Sequence, residues 1–267
     1  MHIPVKVMSF NIHHGADSEG SYDLGRTAEV IRQSGAELIG LQEVDRYFSN
    51  RSRLEDTIGR LAAMLGMHYA YGANLDRPPA KPGMPRNQYG TAVLSKYPIM
   101  ASHNHLLTSF GKEQRGLLET LIDINGIPVY FYSTHLGLDQ EQRETQTNEI
   151  LSIMGQNEGP QIVVGDFNAR PHSPEMRKLT ALFQEPWASL PEAYTIASNR
   201  PYAKIDYIWA NEQLLLGDPA DAVVMNVQAS DHFPIISSLI VKRELVGRRI
   251  QETAAMNGAA MQAAAQE

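Results

Sequence analysis

An α/β fold is predicted by three features of the 267-residue sequence: short apolar runs alternate with helical patterns, turn signals separate them, and no linker or internal repeat interrupts the series. Residues 5–10 read as a first strand. Leu24, Ala28 and Ile31 follow at helical spacing, with Gly35 as a stop. A second strand spans 36–41, and Leu54, Ile58, Leu61 and Leu65 form the stripe of a second helix closed by Gly66. Residues 91–95 form a short buried strand, and His103 and His105 alternate along another as surface residues. The sharpest local signal is a hairpin, in which 117–124 and 127–134 flank Asn125-Gly126, a dipeptide suited to the positive-φ positions of a type I′ turn. A helix over 140–154, a strand over 161–164 and two strands over 205–210 and 235–241 complete the pattern, with a shorter apolar run at 222–227. One α/β domain therefore spans 1–242. The Ala-, Gln- and Met-rich tail, 243–267, is expected to be helical or disordered and to carry no chemistry.

Composition narrows the function. There is no cysteine, which excludes disulfides, thiolate catalysis and Cys-based zinc sites and suits a reducing compartment. The opening residues lack the basic and apolar segments of a signal peptide, and no apolar run approaches the roughly 20 residues of a membrane span. A soluble, cytoplasmic protein is expected. The formal charge of −7 lacks the basic excess that supplies most non-specific affinity for long nucleic acids.

The chemistry-bearing residues stand at strand ends. Asn11 follows Val7-Met8-Ser9-Phe10, Glu43 follows Leu41-Gln42, His135 follows Ser133-Thr134, and Asp166 and Asn168 follow Val163-Val164-Gly165. Asp231-His232 directly precedes the strand at 235–241. Asp206 interrupts an apolar strand, where a buried carboxylate needs a partner or a metal. Strands of one sheet bring such ends onto a common rim, the place where open α/β sheets bind ligands. Taken singly, each is also explained as a turn former, a helix cap or surface charge; the series of them is not.

In this order the motifs resemble the endonuclease/exonuclease/phosphatase superfamily, which shares the fold of pancreatic deoxyribonuclease. The matching segments are Ser9-Phe10-Asn11, Leu41-Gln42-Glu43-Val44, Tyr89-Gly90-Thr91, Ser133-Thr134-His135-Leu136, Gly165-Asp166-Phe167-Asn168, Ile205-Asp206-Tyr207-Ile208 and Ser230-Asp231-His232-Phe233-Pro234. The resemblance implies a four-layer α/β sandwich, two mixed β-sheets packed face to face with flanking helices. It implies Glu43 as the main metal carboxylate, with Asn11 and Asp231 nearby, for Mg²⁺ or Mn²⁺, which favour oxygen-rich sites. Asp166 becomes the base or orienting group for water, with Asn168 holding that water or a phosphate oxygen. Asp206 fixes the tautomer of His232, which points at the phosphate, while His135 and Arg115 face phosphoryl oxygens together with Asn11. Whether Asp166 or His232 takes the proton stays open, as does the number of metals. Relatives often carry an acidic or amide residue near His13, so a metal or substrate role for His13 and His14 stays open.

The expected function is divalent-metal-dependent hydrolysis of a phosphate ester by in-line attack of water, on a small or lipid-derived phosphodiester. The opening Asn11-Ile12-His13-His14-Gly15 resembles a bacterial-type branch grouped with proteins of glycolipid-anchor remodelling. A nuclease is the alternative; Arg77, Lys81 and Arg86 on the Pro-rich loop 77–87, and Trp187 and Tyr202 on the loop 185–203, would grip its substrate. For a small substrate the same basic residues would clamp a single phosphate or head group, and Trp187, Tyr194 and Tyr202 would wall a pocket. A non-catalytic binding protein on the same fold is the third reading, and it expects loss of Glu43, Asp166, Asp206 or His232; all four are present.

Overall fold

The computed structural model describes residues 2–79, 81–187 and 193–242. The tail 243–267 and part of the loop 185–203 lie outside them. Among the described residues, twelve strands and four α-helices form two sheets and two helical layers. The first sheet contains β1 (Ile3–Asn11), β2 (Leu38–Arg46), β3 (His68–Arg77), β4 (Asn87–Ser95), β10 (Leu214–Leu216), β11 (Val223–Val224) and β12 (Ile235–Val241), in the order β10-β12-β1-β2-β4-β3, with β11 on β12. The second contains β5 (Ile99–Leu107), β6 (Arg115–Ile124), β7 (Ile127–His135), β8 (Gln161–Asp166) and β9 (Asp206–Ala210), in sequential order. Each sheet has one parallel pair, β1 with β2 and β7 with β8, flanked by antiparallel neighbours. The expected four-layer sandwich of mixed sheets is the fold of this protein.

Strand alternation sorts the core. On β1, Val5 and Val7 face the space between the sheets, while Met8 and Phe10 pack under α1 (Leu24–Ser34) and α2 (Thr57–Leu65). On β8, Ile162 and Val164 face inward and Val163 packs beneath α3 (Gln140–Met154) and α4 (Pro174–Thr180). The sheets approach closely at Gly40, where a Cβ would lie 2.2 Å from Val164 Cγ2. Only glycine fits there.

The helices start and stop on local chemistry. Asp23 caps α1 by accepting from the N–H groups of Gly25 and Arg26, and Gly35 ends it with φ 66°. The second helix starts later than its stripe implies: Asp56 caps it through the Gly59 N–H, leaving Leu54 outside at φ 53° and exposed. The helix over Gln140–Met154 matches its expected bounds, although its buried face includes Gln142 and Gln146. Gln146 accepts from Gly137 N–H and donates to Thr108 O, so a polar contact docks this helix.

The Asn125-Gly126 hairpin forms with both residues at positive φ, 53° and 87°. The run at 222–227 yields only the two-residue β11. Strand β3 was not evident in the sequence because Gly72, Asn74 and Asp76 dilute its strand propensity; it is an edge strand zipped onto β4. No helix among the described residues is long and apolar enough to cross a membrane.

Candidate active site

The topology brings seven strand ends to one rim. Asn11, Glu43, His135 and Asp166 lie at or near the C-terminal ends of β1, β2, β7 and β8. Antiparallel β6, β9 and β12 place their beginnings there, with Arg115, Asp206 and the preceding Asp231-His232. Register aligns His135 with Asp166, and Asp166 with Asp206. Four of these residues continue the inward-facing series of their strands: Val5-Val7-Ser9-Asn11, Val129-Phe131-Ser133-His135, Ile162-Val164-Asp166, and Asp206 with Ile208. The space between the sheets thus grades from apolar to hydroxyl to ionisable on approaching the rim. Gln42 belongs to the same face, spanning the sheets by accepting from Ser9 Oγ and donating to Ser133 Oγ.

Asp166 is the hub. Its Oδ2 accepts from Asn11 Nδ2 at 3.1 Å and lies 3.5 Å from His135 Nε2 and 3.7 Å from His232 Nε2. Its Oδ1 accepts from Asn168 N–H at 2.9 Å, with Asn168 held in the left-handed region at φ 49°. The Asn168 side chain donates to Leu136 O, which ties the loop after β8 to the end of β7. Burial and the neighbouring Asp206 push the Asp166 carboxyl up to about 7, against the opposing pull of His232 and the hydrogen bonds from Asn168 and Asn11.

The two buried histidines are set oppositely. His232 Nδ1 stands 2.9 Å from Asp206 Oδ2. Burial alone would lower its pKa, but the Asp206 and Asp166 carboxylates outweigh that and raise it to about 10. Asp206 is itself anchored, since its N–H donates to Thr195 Oγ1. His135 instead faces a guanidinium: Arg115 donates to its Nδ1 at 3.1 Å. Because arginine has no acceptor, that nitrogen carries the lone pair and Nε2 carries the proton. Burial, then the charges of Arg115 and His232, hold the His135 imidazolium well below the usual histidine range. One imidazole is therefore charged and the other neutral within one enclosure.

Glu43 lies on the first sheet's side of the rim. A bulge between Leu41 and Val44 puts it at φ 57° and turns it out of the strand's alternation. Its Oε1 accepts from Asn11 Nδ2 at 3.1 Å, so one amide group touches both Glu43 and Asp166. Asn11 Oδ1 accepts from His13 N–H. Ligand atoms of Glu43, His13 and His14 lie within 4.8 Å of one another, as do those of Asp166, Asp206 and His232. Asp231 sits beside the first group, with Oδ1 3.9 Å from His13 Nδ1. Glu43 and the two imidazoles offer a cation a carboxylate and ring nitrogens, and a half-buried carboxylate of this kind fits a divalent ion.

Several contacts at the rim carry no signal in the sequence. Asp45, fully buried, takes a bidentate contact from Arg51 and a hydrogen bond from Ser52, fixing the segment after Glu43. Arg51 stacks over Phe48 and Tyr89, and Arg77 over Phe48, at 4.9–5.3 Å. Tyr89 lies near enough to Glu43 and Arg115 to feel their charges, so this aromatic–cation wall borders the site. Trp187 does not: it is buried in the inter-sheet core and lines a separate cavity of about 490 Å³ with Glu185, Lys204, Tyr207 and Trp209. Tyr194 and Tyr202 are exposed, and Arg86 is paired with Asp76. Among the described residues, these aromatic side chains are thus divided between the interior, at Trp187, and the surface, at Tyr194 and Tyr202.

Two mixed sheets with a rim of carboxylates and histidines define the class of this protein as an α/β sandwich with an ionisable edge. Residues 8–232 match the family model for the Endonuclease/Exonuclease/phosphatase family, and the chain belongs to that family, whose members hydrolyse phosphoesters. Among curated proteins it is 28% identical over 207 residues to Uncharacterized protein YbhP of Escherichia coli K12, covering 73% of this chain and 77% of that one. Its fold is similar to an endonuclease/exonuclease/phosphatase from Beutenbergia cavernae, with TM-score 0.75 and 23% identity over 89% of this chain and 72% of that one. It is also similar to a mannosyl-6-phosphatase from Bacteroides thetaiotaomicron, with TM-score 0.70 and 16% identity over 89% and 100% of the two chains.

Proposed function

We propose that this protein is a divalent-metal-dependent phosphoesterase acting on a small or lipid-derived phosphodiester. The observation that carries the reading is Asp166, which faces His135 and His232 within one buried enclosure while Asn11 links it to Glu43. A phosphate entering this rim meets a protonated nitrogen from His232, held by Asp206, and a second N–H from neutral His135. Both donors are positioned before charge builds on the phosphoryl oxygens, the arrangement that favours an in-line transition state. Asp166, with its raised pKa, can hold or accept the proton of attacking water near neutrality. Asn168 leaves its side-chain oxygen to orient that water, and Arg115 adds positive charge behind His135. Glu43, with Asn11 and Asp231 nearby, would hold Mg²⁺ or Mn²⁺, whose charge neutralises the phosphoryl oxygens when bound.

Two features support a compact substrate. The chain carries a charge of −7, which disfavours long-range approach of a polyanion. The wall of Phe48, Tyr89, Arg51 and Arg77 suits a single phosphate with an attached sugar or apolar group better than a helical backbone. The test compares kcat/KM on bis-(p-nitrophenyl) phosphate and glycerophosphodiesters with abasic and intact duplex DNA at physiological salt. The phosphodiesters are expected to be cleaved better, with turnover lost in excess chelator and restored by Mg²⁺ or Mn²⁺. Much faster cleavage of DNA with steep salt dependence favours the nuclease, and full turnover in chelator ends the metal-dependent mechanism.

A further inference from the structure

Taking the phosphoesterase reading as its basis, we infer that His13 and His14 join Glu43 in a mixed nitrogen–oxygen metal site that prefers a first-row transition ion over Mg²⁺. Ligand atoms of the three residues approach within 4.8 Å, slightly wider than the about 4.2 Å spanned by two 2.1 Å metal–ligand bonds. A small side-chain rotation closes that gap. The positive φ of His13, His14 and Glu43, at 44°, 49° and 57°, turns adjacent side chains toward one rim.

Two observations point to a ligand. His14 is 9% exposed, and its Nδ1 is buried with no hydrogen-bond partner, although buried polar atoms are nearly always satisfied. His13 is wired as metal-binding histidines are: Nδ1 stands 3.3 Å from Asp17 O and 3.9 Å from Asp231 Oδ1. Donation of Nδ1–H to that carbonyl leaves the Nε2 lone pair for an ion and fixes the ring. Imidazole suits Co²⁺, Ni²⁺ and Zn²⁺, whereas Mg²⁺ takes oxygen ligands in a strict octahedron. His13 and His14 thus shift the preference of the site without removing its carboxylate.

The test uses Co²⁺ as probe on the full-length protein, read by visible d–d absorption and by calorimetric titration with Mg²⁺ as competitor. Wild-type protein is expected to bind Co²⁺ at least 10-fold more tightly than Mg²⁺, with imidazole nitrogen coupling in pulsed EPR of the Co²⁺ or Mn²⁺ form. His14→Ala and the milder His13→Gln should each weaken Co²⁺ binding about 10-fold or more and leave Mg²⁺ affinity within about twofold. Circular dichroism checks folding, and the EPR measurement on wild-type protein needs no variant. Absence of nitrogen coupling, or unchanged Co²⁺ affinity in both folded variants, overturns the inference. If Glu43→Gln then still weakens metal binding, the metal-dependent reading stands without the histidines; if no ion binds wild-type protein, both fail.

Discussion

The rim divides into two groups that differ in how completely they are wired. Asp166, Asp206 and His232 are buried and tied to one another at 2.9–3.7 Å. Glu43, His13 and His14 share no hydrogen bond with one another, and only His14 of the three is buried. A buried charge needs a partner, and His232 faces both carboxylates of the first group, although Asp206 Oδ1 has no hydrogen-bond partner. The second leaves Glu43 and His13 half-buried, in reach of solvent. In the proposed reading the first group handles protons and the second holds an ion, and among the described residues the Asn11 side chain bonds to one member of each.

Substitution within the buried group should test that division most sharply. Asp166→Asn and His232→Ala are each expected to lower kcat by about 10²-fold or more while leaving metal affinity nearly unchanged. The readouts are steady-state turnover at saturating metal and calorimetric titration. A folded Asp166→Asn protein that loses metal affinity in parallel with turnover would merge the two groups into one.

A smaller effect concerns pH. If turnover needs ionised Asp166, activity falls as pH drops through its raised pKa, about 7, rather than near the ordinary carboxylate value of 3.8. The acid limb of kcat/KM measures this directly in the free enzyme. Removing Asp206 should lower that limb, because Asp206 contributes to the upward shift. An acid limb near pH 4 in wild-type protein would mean that another group takes the proton.

The smallest effect is on stability, and its sign is informative. Asp166 has a folded pKa above its unfolded value, so its favourable contribution is complete below about 3.8 and is lost as pH rises through about 7. Above that pH the ionised carboxylate burdens the folded state. Asp166→Asn is accordingly expected to raise Tm by a few °C at pH 8 and by less at pH 5, on the order that a domain of this size shows for a modest change in stability. A drop in Tm at pH 8 would show that pairing with His232 outweighs the desolvation.

The two groups also differed in how readily they could be read from the sequence. Motifs ending in Asn11, Glu43, His135, Asp166 and His232 were legible because each follows or precedes an apolar strand, and strand ends must meet at a rim. The inward alternation Val5-Val7-Ser9-Asn11 was also present in the sequence, as a period of two that turns polar toward one end. The His13 contact to the Asp17 carbonyl was not legible, because it depends on a left-handed turn at non-glycine residues that no residue type announces. Nor was the Arg51 clamp on Asp45, a pair six residues apart whose meeting depends on a one-turn 3-10 helix at Asn50–Ser52. Trp187 misled for the opposite reason: in a Pro- and Tyr-rich loop it resembles a ligand-facing aromatic, yet the edge of the inter-sheet core absorbs it.

The approach of the sheets at Gly40 has a consequence for the rim above it. Glu43 rides on one sheet and Asp166 on the other, so the gap between them is gauged by how near the sheets can come at the missing side chain of Gly40, against Val164. A single added methyl there acts as a shim. It would widen the jaws at their hinge, stretch the Asn11 amide between its two carboxylates, and detune a site whose own residues had not been touched.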